Sequence, residues 1–210
     1  MIGVLSKPGG KMTIRDAKRN FVIDTATNLF LERSIGSVTI KDIASASGLG
    51  EATIYRYFSG RGELLVACAL KLQERVGEKF LASSARNGYA RLEEFYRAYL
   101  ETFERAPELY RFLSEFDAYC VGEKVDLEEY ADNIDRFKEA FMTDYGAGRA
   151  DGSVKDVGDA ELFYYSTAHA TISLCKKLAL EGNLIRQDVR GDKAAEVKTL
   201  IGIILSSLRA

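Results

Sequence analysis

One stretch constrains this chain more than any other: Thr39 to Phe58, TIKDIASASGLGEATIYRYF. It reads as two short helices joined by a tight turn. Thr39 suits an N-cap, since its hydroxyl can accept from an otherwise unpaired amide of the first helical turn. Asp42, three residues on, completes a capping box, and Val38 with Ile43 has the spacing of a hydrophobic staple. Ile40, Ile43, Ala44 and Ser47 then share one helical face. Gly48 falls where the chain needs a left-handed residue, which a β-carbon would penalise. Leu49 can plug the corner. The second helix is expected from about Gly50 to Phe58, with Ile54 and Phe58 turned inward. Glu51, Ala52, Thr53, Tyr55, Arg56 and Tyr57 remain for the other face, a set able to enter a major groove, bond base edges and hold phosphates.

These residues resemble a known family. The run Thr39…Ile43-Ala44…Gly48…Thr53-Ile54-Tyr55-Arg56-Tyr57-Phe58…Arg61-Gly62-Glu63-Leu64 is similar to the DNA-binding domain of the TetR family of bacterial transcriptional regulators. The similarity runs from about Phe21 to Leu65, and its Tyr-x-x-Phe ending is its more specific part. Three positions depart from the family pattern. Gly50 stands in place of the usual capping Ser, Glu51 in place of a basic or small residue, and Arg61 in place of a Lys, keeping its charge. Glu51 can instead accept from cytosine N4. The resemblance implies DNA contact by Thr39, Lys41, Gly50, Glu51, Ala52, Thr53, Tyr55, Arg56, Tyr57 and Arg61.

Charge supports a nucleic-acid partner over a purely structural helical corner. Residues 1–62 hold nine Lys and Arg against five Asp and Glu, a net of +4, while the whole chain is −2. Residues 63–210 therefore carry −6, and a basic end on an acidic body suits a phosphate-binding head.

With 47% apolar residues and only two prolines in 210, the chain reads as all-α. Three domains are expected: a mobile arm over 1–12, a helix-turn-helix DNA-binding domain over 13–60, and a helical effector-binding and dimerisation domain over 61–210. Lys7 and Lys11 make the arm either a phosphate or minor-groove contact or a plain tail. The first helix should run from Thr13 to about Ser34, with Phe21 or Val22, Thr25 or Ala26, and Leu29 or Phe30 inward. A fourth helix, from about Arg61 to Ala82, carries Leu65, Cys68, Leu72, Val76 and Phe80, and joins head to body. Further amphipathic helices follow: Tyr89 to Arg105, one started by Pro107, and one opened by Asp126 and Glu129. Gly146 to Ser153 reads as a flexible linker.

The last two helices differ in composition. Leu162–Cys175 and Thr199–Leu208 contain no Asp, Glu, Lys or Arg. A helix apolar around much of its circumference needs cover on more than one side. In the family resembled, the last two helices pair with their copies in a dimer. Phe163, Ala170, Leu174, Val197, Ile201, Ile204 and Leu208 are the interface residues expected on that basis, the last four recurring at 4-3-4 steps.

Enzymatic constellations are missing from the sequence. The single histidine, His169, has no nucleophile motif beside it, and the carboxylate pairs Glu93-Glu94 and Glu128-Glu129 point to different helix faces. Cys68, Cys120 and Cys175 have neither metal nor redox spacing. No catalytic residue, metal or cofactor is expected, and a helical enzyme is the least supported class. No leader peptide and no apolar stretch of about 18 residues appears, so the expectation is a cytoplasmic protein without a membrane partner. Tyrosines are abundant in the body, and a buried hydroxyl demands a partner that a ligand can provide. A small, partly apolar effector is implied by the resemblance, with Tyr96, Tyr99, Phe103, Phe116, Tyr119, Phe141 and His169 as its expected contacts. The function expected is a homodimeric regulator of transcription. It binds a double-stranded DNA operator, most simply as a repressor released by that effector. The alternative is gating by a protein partner.

Overall fold

The computed structural model describes residues 13–81, 83, 85–180 and 191–210. The expected arm over residues 1–12, with Lys7 and Lys11, lies outside them, as does Ala82. The described residues form α-helices linked by short turns, with one isolated antiparallel bridge between Val154 and Arg209.

The first helix, α1 (Ile14–Glu32), starts at a capping box made by Thr13 and Asp16. Of the two stripes allowed by its sequence, Val22, Ala26 and Phe30 face inward, and Phe21 is left 51% exposed. A 3-10 turn over Ile35–Ser37 leads to α2 (Ile40–Ser47) and α3 (Glu51–Tyr57). Ile35, Val38, Ile43, Ile54 and Phe58 close against Val22, Ala26 and Phe30 as one apolar centre. The long helix α4 (Arg61–Leu81) extends that centre with Leu64, Leu65 and Cys68, then continues into the rest of the molecule. Its 21 residues span about 30 Å at 1.5 Å per residue.

Beyond α4 come α5 (Gly88–Arg105), α6 (Pro107–Gly122), α7 (Glu128–Asp151), α8 (Ala160–Ala179) and α9 (Lys193–Leu208). Pro107 takes the first position of α6, where its missing amide hydrogen costs nothing. The centre of the bundle is aromatic. Phe95 on α5 meets Phe80 (5.4 Å between ring centres), Tyr96 (5.5 Å) and Phe141 (6.0 Å), all edge-on. Such pairs add about 0.5–1.5 kcal/mol each beyond the area they bury.

The flexible linker expected at Gly146–Ser153 is absent; residues 146–151 are the last turns of α7. The reason is close packing. A β-carbon on Gly88 would overlap the backbone of Gly148, and one on Gly148 would overlap Val154. Glycine there lets α5 and α7 touch backbone to backbone. The same segment caps α5: the Gly88 amide donates to Asp151 Oδ2 (2.8 Å) and the Tyr89 amide to Ser153 Oγ (3.0 Å). Bonds from Ser153 and the Gly88 amide hold the Asp151 carboxyl below its usual range.

Candidate nucleic-acid interface and effector cavity

Local chemistry builds the α2–α3 corner. The Thr39 amide and hydroxyl donate to Asp42 Oδ2 (2.8 and 2.6 Å), and the Asp42 amide returns a bond to Thr39 Oγ1 (3.1 Å). These bonds depress the Asp42 pKa, the Thr39 hydroxyl first among them. At the other end Gly48 sits at φ 67°, ψ 19°, and the Leu49 amide reaches back to the Ala44 carbonyl at 3.1 Å. That left-handed residue turns the chain so that α3 leaves at an angle to α2.

Helix α3 buries Ile54 at 1% exposure, the Phe58 that ends it is buried at 2%, and the helix presents the remainder. Glu51, Ala52, Tyr55 and Arg56 are exposed, while Thr53 and Tyr57 are half-buried. Tyr55 is 54% exposed, a large ring turned to the surface. The Arg56 guanidinium lies 5.5 Å from the centre of the Tyr57 ring. Gly50 contributes no side-chain cap, and Glu51 stands in the first turn, where a negative charge suits the helix dipole. Thr39 and Lys41 are exposed at the start of α2.

Arg61 departs from its expected role. Its guanidinium donates to the Ile35 carbonyl and lies 5.9 Å from the Tyr119 ring centre, so it faces the molecule's interior. As the first residue of α4 it points back across the turn that α3 has just made. Two side chains of α6 grip the same segment: Glu115 accepts from the Ile35 amide, and Arg111 donates to the Leu31 carbonyl. Phe112 of α6 adds a ring contact to Phe30 of α1 at 6.3 Å. The link between α1 and α2 is thus held by polar groups from α4 and α6.

Among α4, α5, α6, α7 and α8 lies a cavity of about 130 Å³. Leu72, Val76 and Phe80 line it from α4, Tyr99 and Thr102 from α5, and Tyr110 and Leu113 from α6. Tyr130, Ile134 and Phe137 line it from α7, Tyr164 and Ile172 from α8. Of the seven expected effector contacts only Tyr99 is in this wall. Tyr96 is fully buried and its hydroxyl is 2.6 Å from Thr167 Oγ1. Phe103 packs on Tyr110 (6.1 Å), Phe116 stacks on Phe112 (5.9 Å) and Phe141 stacks on Tyr145 (6.2 Å). Tyr119 sits by Gly62 and Val125, outside the cavity, and His169 is exposed on α8. Helical periodicity marks faces that are covered, and most covered faces are filled solid. Phe80, a member of the α4 stripe, is in the wall as well. Thr102 and Gln73, two polar residues inside apolar stripes, were the signal overlooked.

The expected dimer seam also needs correction. Val197, Ile201, Ile204 and Leu208 are 0–6% exposed within a single chain, covered by α5 and α8. Phe163 and Leu174 are half-buried, Phe163 being stacked on Phe141 at 6.3 Å; only Ala170 is exposed. The 4-3-4 repeat does mark a packing seam, but its partner is the same chain. The outer face of these helices instead presents Leu162, Tyr165, Ser166, His169 and Ser173 of α8, with Thr199, Gly202, Ile203 and Ser206 of α9. Leu162 and Ile203 are each 62% exposed.

Burial pushes the Cys68 and Cys175 thiols up to about 12, which disfavours the reactive thiolate at both. Among the described residues, no cluster of His, Cys, Asp and Glu could hold a metal ion, and no helix is long and apolar enough to cross a membrane.

Comparison with known proteins agrees with this geometry. Residues 22–68 match the family described as bacterial regulatory proteins, tetR family. The chain is 34% identical over 85 residues to the HTH-type transcriptional regulator AlkX of Mycobacterium tuberculosis, a match spanning 40% of this chain but only 38% of AlkX. It is 22% identical over 160 residues to the HTH-type transcriptional repressor KstR2 of Rhodococcus jostii, spanning 75% of this chain and 78% of that one. Among solved structures, a TetR transcription regulator from Haloarcula marismortui superposes with a TM-score of 0.71 at 17% identity, over 92% of this chain and 99% of the other. The ketosteroid transcriptional regulator KstR2 of Mycobacterium tuberculosis gives 0.60 at 16% identity, over 92% and 95%. At such identities the two structures establish a shared fold.

Proposed function

Since this chain belongs to the tetR family of bacterial regulatory proteins, we propose that it is a sequence-specific DNA-binding repressor of transcription. It acts in the cytoplasm as a homodimer and leaves its operator when a small molecule occupies the cavity. Its work is binding, with no turnover. In this reading residues 13–60 are the DNA-binding domain, and residues 61–210 bind effector and partner copy. The observation that carries it is the capped corner that holds α3 with Tyr55 and Arg56 exposed on its outer face. A helix so presented fits the major groove, and the basic excess of residues 1–62 favours phosphate. Thr39 and Lys41 flank it as backbone contacts, and Arg61 supports the α1–α2 link from inside. The cavity favours a small-molecule effector over gating by a protein partner.

A ligand changes DNA affinity only by binding one arrangement of the molecule better than another. Two elements reach from the cavity to the head. Helix α4 supplies Leu72 and Phe80 to the wall and Leu64 to the head's core; α6 supplies Leu113 to the wall and Glu115 to the Ile35 amide. Paired heads must match half-sites about 34 Å apart, or a multiple of that, so a small shift of either helix costs contacts.

Selection of bound sequences from a random duplex pool tests the reading. A near-palindromic site is expected, with affinity falling steeply as salt rises. Arg56→Ala should cost about 1–3 kcal/mol at one base position if Arg56 reads a base, or weaken all sequences alike if it holds phosphate. Folded protein that prefers no sequence at low salt would overturn the proposal.

A further inference from the structure

We propose that the cavity takes an uncharged molecule about one six-membered ring in size, carrying one hydroxyl or carbonyl that hydrogen-bonds the Thr102 hydroxyl; this rests on reading the cavity as the effector site. Three features of the wall lead there. The first is charge. No Asp, Glu, Lys, Arg or His lines the cavity. An ion drawn into it would lose its water without gaining a counter-charge, a cost that apolar contacts do not repay.

Size is the second. The cavity's 130 Å³ is close to the ~150 Å³ of a cavity lined by aliphatic and aromatic side chains that binds benzene. Its aromatic walls suit a flat guest. Phe80 stands edge-on to Tyr99 (4.7 Å, 75°) and to Phe137 (5.4 Å, 83°), so ring faces and ring edges both meet the space.

Hydrogen bonding is the third. Gln73 Oε1 accepts from Asn133 Nδ2 at 2.7 Å, and the Tyr110 hydroxyl donates to the Tyr99 carbonyl at 3.1 Å. Thr102 differs. It is 2% exposed and lines the cavity, and its Oγ1 is a buried side-chain oxygen without a hydrogen-bond partner among the described residues. A buried hydroxyl left unpaired is unfavourable, and a ligand that supplies the partner recovers that loss. A ligand that reaches this unpaired group needs a polar atom to meet it.

Calorimetric titration of the full-length protein with phenol, benzene, benzoate and tetramethylammonium tests this. Phenol should bind most tightly, benzene more weakly, and the two ions not measurably. Thr102→Val, which keeps the shape and removes the hydroxyl, should weaken phenol roughly 3- to 10-fold and leave benzene unchanged. Thr102→Ser should retain phenol. The proposal is overturned if either ion binds more tightly than phenol, if phenol does not bind, or if folded Thr102→Val binds phenol as well as the unaltered chain. Should Thr102→Val not fold, nuclear Overhauser contacts from phenol to the rings of Tyr99 and Phe137 in the unaltered protein decide, and their absence overturns it. Operator affinity is measured separately. Phenol bound in the cavity with DNA affinity unchanged supports the ligand class while counting against release by effector.

Discussion

A β-carbon on Gly88 would overlap the backbone of Gly148, whereas one on Gly146, two residues earlier in α7, would meet no atom within 4 Å. The two glycines therefore answer substitution in opposite directions. Gly88→Ala must push α5 from α7 and break the caps from Asp151 and Ser153, a loss of about 1–3 kcal/mol by analogy with overpacked cores. Gly146→Ala only improves helix propensity, by about 0.5–1 kcal/mol. Urea unfolding of both variants checks the pair, and a stable Gly88→Ala would refute the close crossing. The head obeys the same distinction between local and distant causes. Thr39 and Asp42 satisfy each other three residues apart, whereas Arg61 depends on Ile35, which the fold alone brings near.

Among the elements, α6 has the most divided duties. One side of it lines the cavity with Leu109, Tyr110 and Leu113; the other places Arg111, Phe112 and Glu115 against α1 and the turn after it. The i, i+3 and i+4 geometry of a helix sets those groups about a turn apart, so displacement of one side moves the other. In α4 the same two duties fall at opposite ends of a 21-residue helix. Glu115→Ala should therefore leave cavity binding intact but shrink the change in operator affinity that ligand produces, from the typical 1–3 kcal/mol coupling toward zero. DNA titrations with and without phenol, on the parent and on the variant, measure it. An unchanged coupling would leave α4 as the sole carrier.

At the scale of the whole molecule, α8 and α9 each bury one stripe inside the chain and leave a second face of small and apolar residues outside. Cover from a second copy is expected there, so neighbouring residues of α9 should behave differently. Ile203→Glu places a charge on the outer face, 62% exposed in one chain, and should yield a folded monomer that has lost operator binding. Ile204→Glu places it at a site 5% exposed inside the chain and should unfold it, because a buried carboxylate without a partner is costly. Sedimentation together with thermal melting separates the two outcomes; a folded dimer from Ile203→Glu would move the interface elsewhere.

What the sequence determined by itself is what short-range physics decides. The capping box at Thr39 and Asp42, the left-handed Gly48, Pro107 at the head of α6 and the inward stripes of α4 and α5 depend on neighbours three or four residues away. The amino-acid order displays those neighbours directly. Tertiary structure decided every question about what lies opposite. A 4-3-4 apolar repeat states that a face is covered, and only the fold revealed that Ile201 and Ile204 are already buried within one chain, where α9 packs on α5 and α8. Gly146 to Ser153 reads as a hinge until Gly88 is seen against Gly148. Tyr99 lines the cavity while Tyr96 and Phe141 do not, and the sequence does not separate them, because all three are buried and the periodicity that predicts burial is the same for each. A cavity is the space that five helices together fail to fill, and that remainder belongs to their arrangement, not to any residue's own place in the chain.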